Sequence, residues 1–336
     1  MTKNRFSYKI IVNYIKYITE MKQKLLDEYK LYDNLNCEQK NPLIKIFVSY
    51  IKPSFLYKTK ILTPIHLGRE IATEYSKDGV ISEADLIWLN TNCIYDNDFE
   101  GNISATNRRV GFLTGTYKAW KNYDKINSPK YFGSFGYRRL FKPKFLEDLQ
   151  MYDCVIPYRV DFSKTGPNIK QHVIKLQGEK TLNLLIESLK HVHPKDSKEL
   201  DKYLNQTSAY MYEMYVMKKN VFFEFCEWIF PLLFYLLKKT PEEFGFKNNN
   251  SIEAKFVEES GEIRDIAYIM EILTGFYCYK LSLNKSLKVK HEEICYLNII
   301  EKDSTKTKLM LKLLHEKLKT RSNPCMQCKL KVKSKI

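Results

Sequence analysis

Residues 98 to 141 read DFEGNISATNRRVGFLTGTYKAWKNYDKINSPKYFGSFGYRRLF, and this stretch decides how the rest of the chain is read. A turn-rich Gly101-Asn102-Ile103-Ser104 segment leads into helical spacing at Leu113, Tyr117 and Trp120. A loop at Pro129 follows, and then an aromatic, strand-like run through Tyr131, Phe132 and Phe135. The run ends on Tyr137-Arg138-Arg139. Burying an unpaired guanidinium is costly, so two arginines at the end of a buried strand point to an anionic partner such as a phosphate. Adjacent strand residues face opposite sides, so only one arginine meets that partner unless the strand has already ended.

The same alternation extends outward. Leu43 to Tyr50 (LIKIFVSY) is β-branched and aromatic and reads as a buried strand, closed by Lys52-Pro53. Pro64 to Gly68 reads as a loop element, with helical spacing after it at Ile71, Ala72 and Tyr75. Tyr152 to Tyr158 and Met211 to Met217 read as strands, and Val221 to Leu237 and Ile263 to Leu281 as helices. Strands alternating with helices predict an α/β sheet, not a bundle. The first 42 residues show apolar positions at the helical period from Phe6 to Tyr29, with lysines on the remaining surface. That helix fits packing on a domain, or lying on an anionic membrane. Three regions result: a helical extension over 1–42, a main domain over 43–300, and a basic helix and tail over 301–336.

The chain has 336 residues, with 55 Lys plus Arg against 39 Asp plus Glu, a formal charge of +16. This balance favours anionic partners without choosing among nucleic acid, acidic membrane and phosphorylated metabolites. Lysine, asparagine and isoleucine are abundant, as in an AT-rich genome, so part of the charge reflects composition alone. Aromatics at 14% exclude a disordered basic chain. The eight cysteines are scattered, several inside apolar runs, as expected of free thiols in a reducing cytosol. Charged residues interrupt the apolar positions of the N-terminus, so it does not read as a signal peptide. Glu224 and Glu227 interrupt the most apolar window, which reads as a buried helix and not a membrane span. Cys325 and Cys328 form half of a zinc pattern with no second pair to complete it.

Seven motifs in order resemble the bacterial capsular-polysaccharide glycosyltransferases long catalogued as a domain of unknown function. They are KIFVSYIKP at the first strand, Pro64 to Gly68, Asp98 to Ser104, Leu113 to Asn122, Tyr131 to Phe141, Tyr152 to Pro157, and Glu213 to Phe230; Arg264 and Glu271 on the closing helix complete the pattern. Where the family pattern has His, Gly136 and Ile51 stand; Val110-Gly111-Phe112 replaces Tyr-x-Glu; Glu213 replaces Asn. The resemblance implies a GT-A-like sheet that binds a nucleotide-sugar, with UDP the expected nucleotide. It implies transfer of a hexose or galactofuranose to a capsular polysaccharide or lipooligosaccharide, on a lipid-linked or polysaccharide acceptor.

Such a reaction needs cations on the departing diphosphate and a carboxylate to take the acceptor proton. The expected donor-binding residues are Lys52, His66, Asn102, Ser104, Tyr137, Arg138, Arg139 and Arg264. The expected base is Glu271, seven residues from Arg264 and on its helix face, with Asp153 and Glu213 behind it. Asp96-Asn97-Asp98 is a literal Asp-x-Asp, where Mg2+ or Mn2+ binds if a metal is used. The expected location is cytoplasmic and peripheral to an anionic inner membrane, with self-association allowed and no nucleic acid bound. The alternatives are an inactive family member acting as a scaffold, and a basic nucleic-acid-binding protein.

Overall fold

A computed structural model describes residues 2–36, 40–74, 80–163, 166–240 and 265–297, with side chains from residue 16 onward. Arg264, the basic tail and the Cys325–Cys328 pair lie outside the described residues. The chain divides into two compact units, one spanning Leu25–Cys295 and the other made of Met1–Lys24 and Tyr296–Ile336. The larger unit begins inside the first helix, α1 (Thr2–Lys30). Tyr29 explains this boundary, since its ring is fully buried and its hydroxyl donates to the Phe141 carbonyl at 2.8 Å.

The expected α/β class is present. Strands β1 (Ile44–Tyr50), β2 (Leu62–His66), β3 (Ile94–Tyr95), β4 (Tyr131–Gly136), β5 (Arg139–Phe141) and β6 (Cys154–Pro157) come first. The small strands β7 (Val160–Asp161) and β8 (Ser208–Ala209) pair with each other, and β9 (Tyr215–Lys218) and β10 (Val289–Glu292) rejoin the main sheet. Its order is β10-β6-β9-β4-β1-β2-β3, with β5 hanging off β4. All pairings along this path are parallel except those of β9, which runs antiparallel to both β4 and β6.

The run read as a loop at Pro64 is strand β2. Pro64 pairs with Val48 of β1, but β3 reaches only Ile65 and His66. Proline therefore sits where the strand has one neighbour, and its missing N–H leaves no ladder incomplete.

Helices α2 (Glu83–Asn92), α3 (Asn107–Val110) and α4 (Leu113–Lys121) come before β4. Helices α5 (Ile169–Gln177), α6 (Glu179–Val192) and α7 (Ser197–Leu204) fill the interval between β6 and β9, and α8 (Lys219–Lys239) and α9 (Asp265–Leu283) follow β9. By length and composition α8 is apolar enough to cross a membrane, yet Phe222, Phe225, Trp228, Phe230 and Leu233 are buried in the core. Each such side chain contributes about 1.5–3 kcal/mol of burial. The ring of Phe132 on β4 meets Phe47 of β1 at 5.1 Å and Phe222 of α8 at 4.5 Å, tying sheet to helix.

Candidate active site

The carboxyl ends of β1, β2, β4 and β6 lie along one edge of the sheet, and antiparallel β9 begins there. From β1 the chain steps to β2 and β3 on one side, while β4 lies on the other. Open α/β sheets bind ligands at such a reversal, outside the carboxyl ends. Tyr50, Ile51 and Lys52 stand on the β1 side of this crevice and Gly136, Tyr137 and Arg138 on the β4 side. The Tyr50 and Tyr137 rings stack at 5.3 Å with planes 14° apart. Lys52 and Arg138 are exposed.

The arginine pair is divided by a turn. Gly136 pairs with Arg139, so Tyr137-Arg138 is a two-residue hairpin connection and the strand has ended before the arginines. The Arg138 guanidinium lies over the Tyr137 ring and its Nε donates to the Tyr137 hydroxyl at 3.1 Å. Arg139 turns the other way and covers the Tyr212 ring at 4.1 Å.

Tyr212 belongs to the second half of the site. It and Glu213 are left-handed, with φ of 77° and 50°. Two successive non-glycine residues in that region store strain, and strained backbone collects at functional sites. The Tyr212 N–H donates to Glu271 Oε1 at 2.9 Å. Glu213 Oε1 is shut off from water with no hydrogen-bond partner, although the residue as a whole keeps a partly exposed edge. Glu271 is also partly exposed while its carboxyl is surrounded by protein, as expected in a recess.

Burial pushes the Glu213 carboxyl well above the ordinary range, and the neighbouring Glu271 charge adds to this. Burial also raises Glu271, less strongly, because the Tyr212 N–H and the Arg139 charge favour its ionised form. The proton is therefore held more tightly at Glu213 than at Glu271, an asymmetry of the kind acid–base chemistry uses. Among the described residues Arg139 is a cation beside Glu271; the expected Arg264 lies outside them.

Gly275 brings α9 into position. A Cβ there would lie 2.2 Å from the Tyr210 carbonyl oxygen and 2.7 Å from the Tyr203 hydroxyl. Only glycine lets the helix approach that closely, which brings Glu271 to the backbone two residues beyond Tyr210.

The remaining expected residues form a closed structural network. Asp96 is buried; its carboxylate accepts the N–H groups of Gly68 at 2.7 Å and Arg69 at 3.1 Å and the Ser104 hydroxyl at 2.6 Å. Ser104 also accepts from the Glu70 N–H, and Asn102 bonds Ser104 and Phe99. Asp98 pairs with Lys118. The Asp-x-Asp triplet thus directs one carboxylate inward to hold a loop and the other onto a lysine, an arrangement that does not fit metal binding. No cluster of three or more His, Cys, Asp or Glu occurs among the described residues. His66 is buried at the end of β2, with Nδ1 unbonded; burial and then the Arg69 charge lower it to about 4, so the ring is neutral.

Asp153 stands apart. It precedes β6, at the far edge of the sheet, where its carboxylate meets Lys218 Nζ and the Lys288 N–H, each at 2.8 Å. Burial works to raise it, but Lys218 and Lys288 outweigh that and hold it below the usual range. A depression lined by Asn41, Lys130, Lys218 and Lys219 also lies at that far edge.

Two departures from the family pattern meet in space. A Cβ at Gly136 would come within 3.2 Å of the Phe112 ring, so that ring fills the room a side chain at 136 would need. Sequence reasoning named Phe112 only as a departure from the family pattern and did not single out Tyr212. Phe112 had a signal, since it and Gly136 both depart from the pattern; nothing in the sequence marks the left-handed backbone at Tyr212.

No curated protein matches the chain. Among solved structures, the apo structure of WbbM, a bifunctional glycosyltransferase, matches with a TM-score of 0.58 and 22% identity, over 75% of this chain and 45% of that one. The chain thus spans less than half the length of that protein, and the likeness is one of fold. The family model described as a domain of unknown function, DUF4422, matches residues 45–280. That span runs from β1 through Glu271 and includes both arginines and both glutamates, and the chain belongs to the DUF4422 family.

Proposed function

We propose that this chain transfers a sugar from a nucleoside diphosphate to a hydroxyl of a growing glycan. The observation that carries this reading is the Glu213–Glu271 pair beside Arg139, at the sheet edge next to the β1–β4 crevice. In a direct displacement, Glu271 takes the acceptor hydroxyl proton as the oxygen bonds to the anomeric carbon. The bond from that carbon to the diphosphate oxygen breaks, and the diphosphate leaves with the electron pair. Lys52 and Arg138 face that leaving charge from the two sides of the crevice. Tyr137 supplies an aromatic contact to the nucleotide, and the buried His66 stands behind that edge.

The likeness in fold to a glycosyltransferase supports this assignment. Under the same reading the donor is UDP-linked and the sugar a hexose or galactofuranose. The acceptor is a lipid-linked capsular or lipooligosaccharide chain, which the +16 charge would meet at an anionic cytoplasmic leaflet. A divalent ion, if it takes part, is held by the diphosphate itself, since Asp96 and Asp98 are already engaged.

The test is a thermal-shift and calorimetric screen of nucleoside diphosphates against the full chain. UDP is expected to raise the melting temperature, and Arg138→Ala to weaken its binding by about tenfold or more. Absence of binding by UDP, GDP and ADP at millimolar concentration would overturn the reading.

A further inference from the structure

Beyond Glu213 the same edge continues onto β6 and β10, and its residues have no part in the donor crevice. Tyr158, directly after β6, is 58% exposed although it is a large aromatic. Its N–H still donates to the Glu292 carbonyl at 3.2 Å, so the residue is held on the sheet. Its ring centroid lies 5.9 Å from the His291 ring. The His291 Nε2 is engaged by the Tyr210 hydroxyl at 2.9 Å, which fixes the imidazole plane and leaves Nδ1 for any further bond. Arg159 hydrogen-bonds Gln206 and the Ser208 carbonyl and lies over the Tyr210 ring, so the support behind this platform is itself anchored.

Strand order and chain connectivity place the platform on the same edge as the carboxylates. Val155 pairs with Val216 and Ser134 with Tyr215. These pairings set the end of β6, which Tyr158 follows, and the end of β4 on either side of the start of β9, and Glu213 lies in the turn two residues before that start. Independently, Tyr210 touches His291 and is three residues from Glu213, a reach of at most about 10 Å. Glu213 thus lies on the sheet edge that carries the cationic crevice on one side and the exposed Tyr158 ring on the other.

We infer that Tyr158 and His291 form the subsite for the acceptor sugar, the ring stacking its C–H face on Tyr158 and a hydroxyl meeting His291 Nδ1. This rests on the transferase reading above. A pyranose or furanose has one apolar C–H face and a rim of hydroxyls, and a flat exposed ring with a fixed polar neighbour complements both. An acceptor seated there lies along the edge that also carries the carboxylates.

Saturation-transfer NMR on the full chain tests this with methyl β-D-galactofuranoside and methyl α- and β-D-glucopyranoside, while UDP affinity is followed separately by calorimetry. At least one glycoside is expected to receive saturation. Its signal should fall about three- to tenfold in Tyr158→Ala, the range of an aromatic contact, and persist in Tyr158→Phe. UDP affinity should stay within about twofold in both variants, since Tyr158 is outside the crevice. Equal glycoside signals in wild type and Tyr158→Ala would overturn the subsite, as would no glycoside signal from a protein that binds UDP; the second result leaves the donor assignment intact. Loss of UDP binding with retained, Tyr158-dependent glycoside binding keeps the subsite and removes the donor assignment.

Discussion

Two pairs of acidic residues sit along the same edge of the sheet, and they differ in how fully they are satisfied. At the end of β3, Asp96 accepts three hydrogen bonds and Asp98 holds Lys118. Between β9 and α9, Glu213 Oε1 has no partner, and Glu271 has one backbone N–H with Arg139 nearby. The first pair reads in the sequence as a metal site and folds as a loop brace. The second pair is 58 residues apart in sequence, is split between two separate motifs, and meets because Gly275 lets α9 approach the Tyr210 carbonyl. A short motif reports residue spacing, whereas chemistry depends on capacity left over after folding.

The sharpest way to break this comparison is Glu271→Gln, which keeps the shape and removes the charge. Turnover should fall by roughly two to four orders of magnitude while UDP affinity holds. If turnover per folded molecule survives and only the melting temperature drops, Glu271 braces Arg139 and Tyr212 and the base lies elsewhere.

Asp96→Ala should do the reverse. Three donors lose a buried, charged acceptor, so about 3 kcal/mol or more of stability should go, seen in urea unfolding. Turnover measured well below the new midpoint should stay within a few fold, and a metal titration should not separate variant from wild type. A metal-dependent activity lost in Asp96→Ala but present in wild type would restore the triplet as a metal site.

The contrast also explains what was legible. Strand β1, helix α8 and helix α9 announce themselves by unbroken apolar runs, and β4 by its aromatics. Helices α5 to α7 were passed over, although Leu182, Leu185 and Leu189 recur at the helical period; the missed signal was there. Strand β2 was hidden by Pro64, because the sequence does not show that one side of the strand lies open. At the site, Arg138, Arg139, Glu213 and Glu271 were each visible as residues, but their partners were not. One arginine of the pair was expected to meet a phosphate, and the sequence did not show that Arg139 lies over Tyr212 and near Glu271. Tertiary approach sets that choice, and sequence spacing carries no record of it.

Proton uptake separates the two glutamates from the aspartates more gently. Both glutamates hold their protons more tightly folded than unfolded, so their stabilising share is full below the ordinary value of 4.5 and fades as pH rises through the raised native values. Glu213→Gln removes the larger part of that loss. Its melting temperature relative to wild type should therefore be more favourable at pH 8 than at pH 4.5. A difference independent of pH would show that Glu213 is as well solvated as Asp98 and that the comparison fails at that residue.

The smallest effect concerns Phe112 and Gly136, on the donor side of the same edge. If the two departures from the family pattern are one event, their replacements must interact. Gly136→His alone forces a Cβ to within 3.2 Å of the Phe112 ring, tight enough that the ring must shift. Overpacking of this kind costs about 1–3 kcal/mol. Phe112→Ala alone leaves a void over Gly136 and exposes the crevice wall. Together the histidine should occupy the space the phenylalanine left, so the double variant should lose less than the sum of the singles by about 1 kcal/mol. Chemical unfolding of the four proteins in one buffer measures this coupling. Strict additivity would mean that the ring swings aside freely, and that the two departures arose independently of each other.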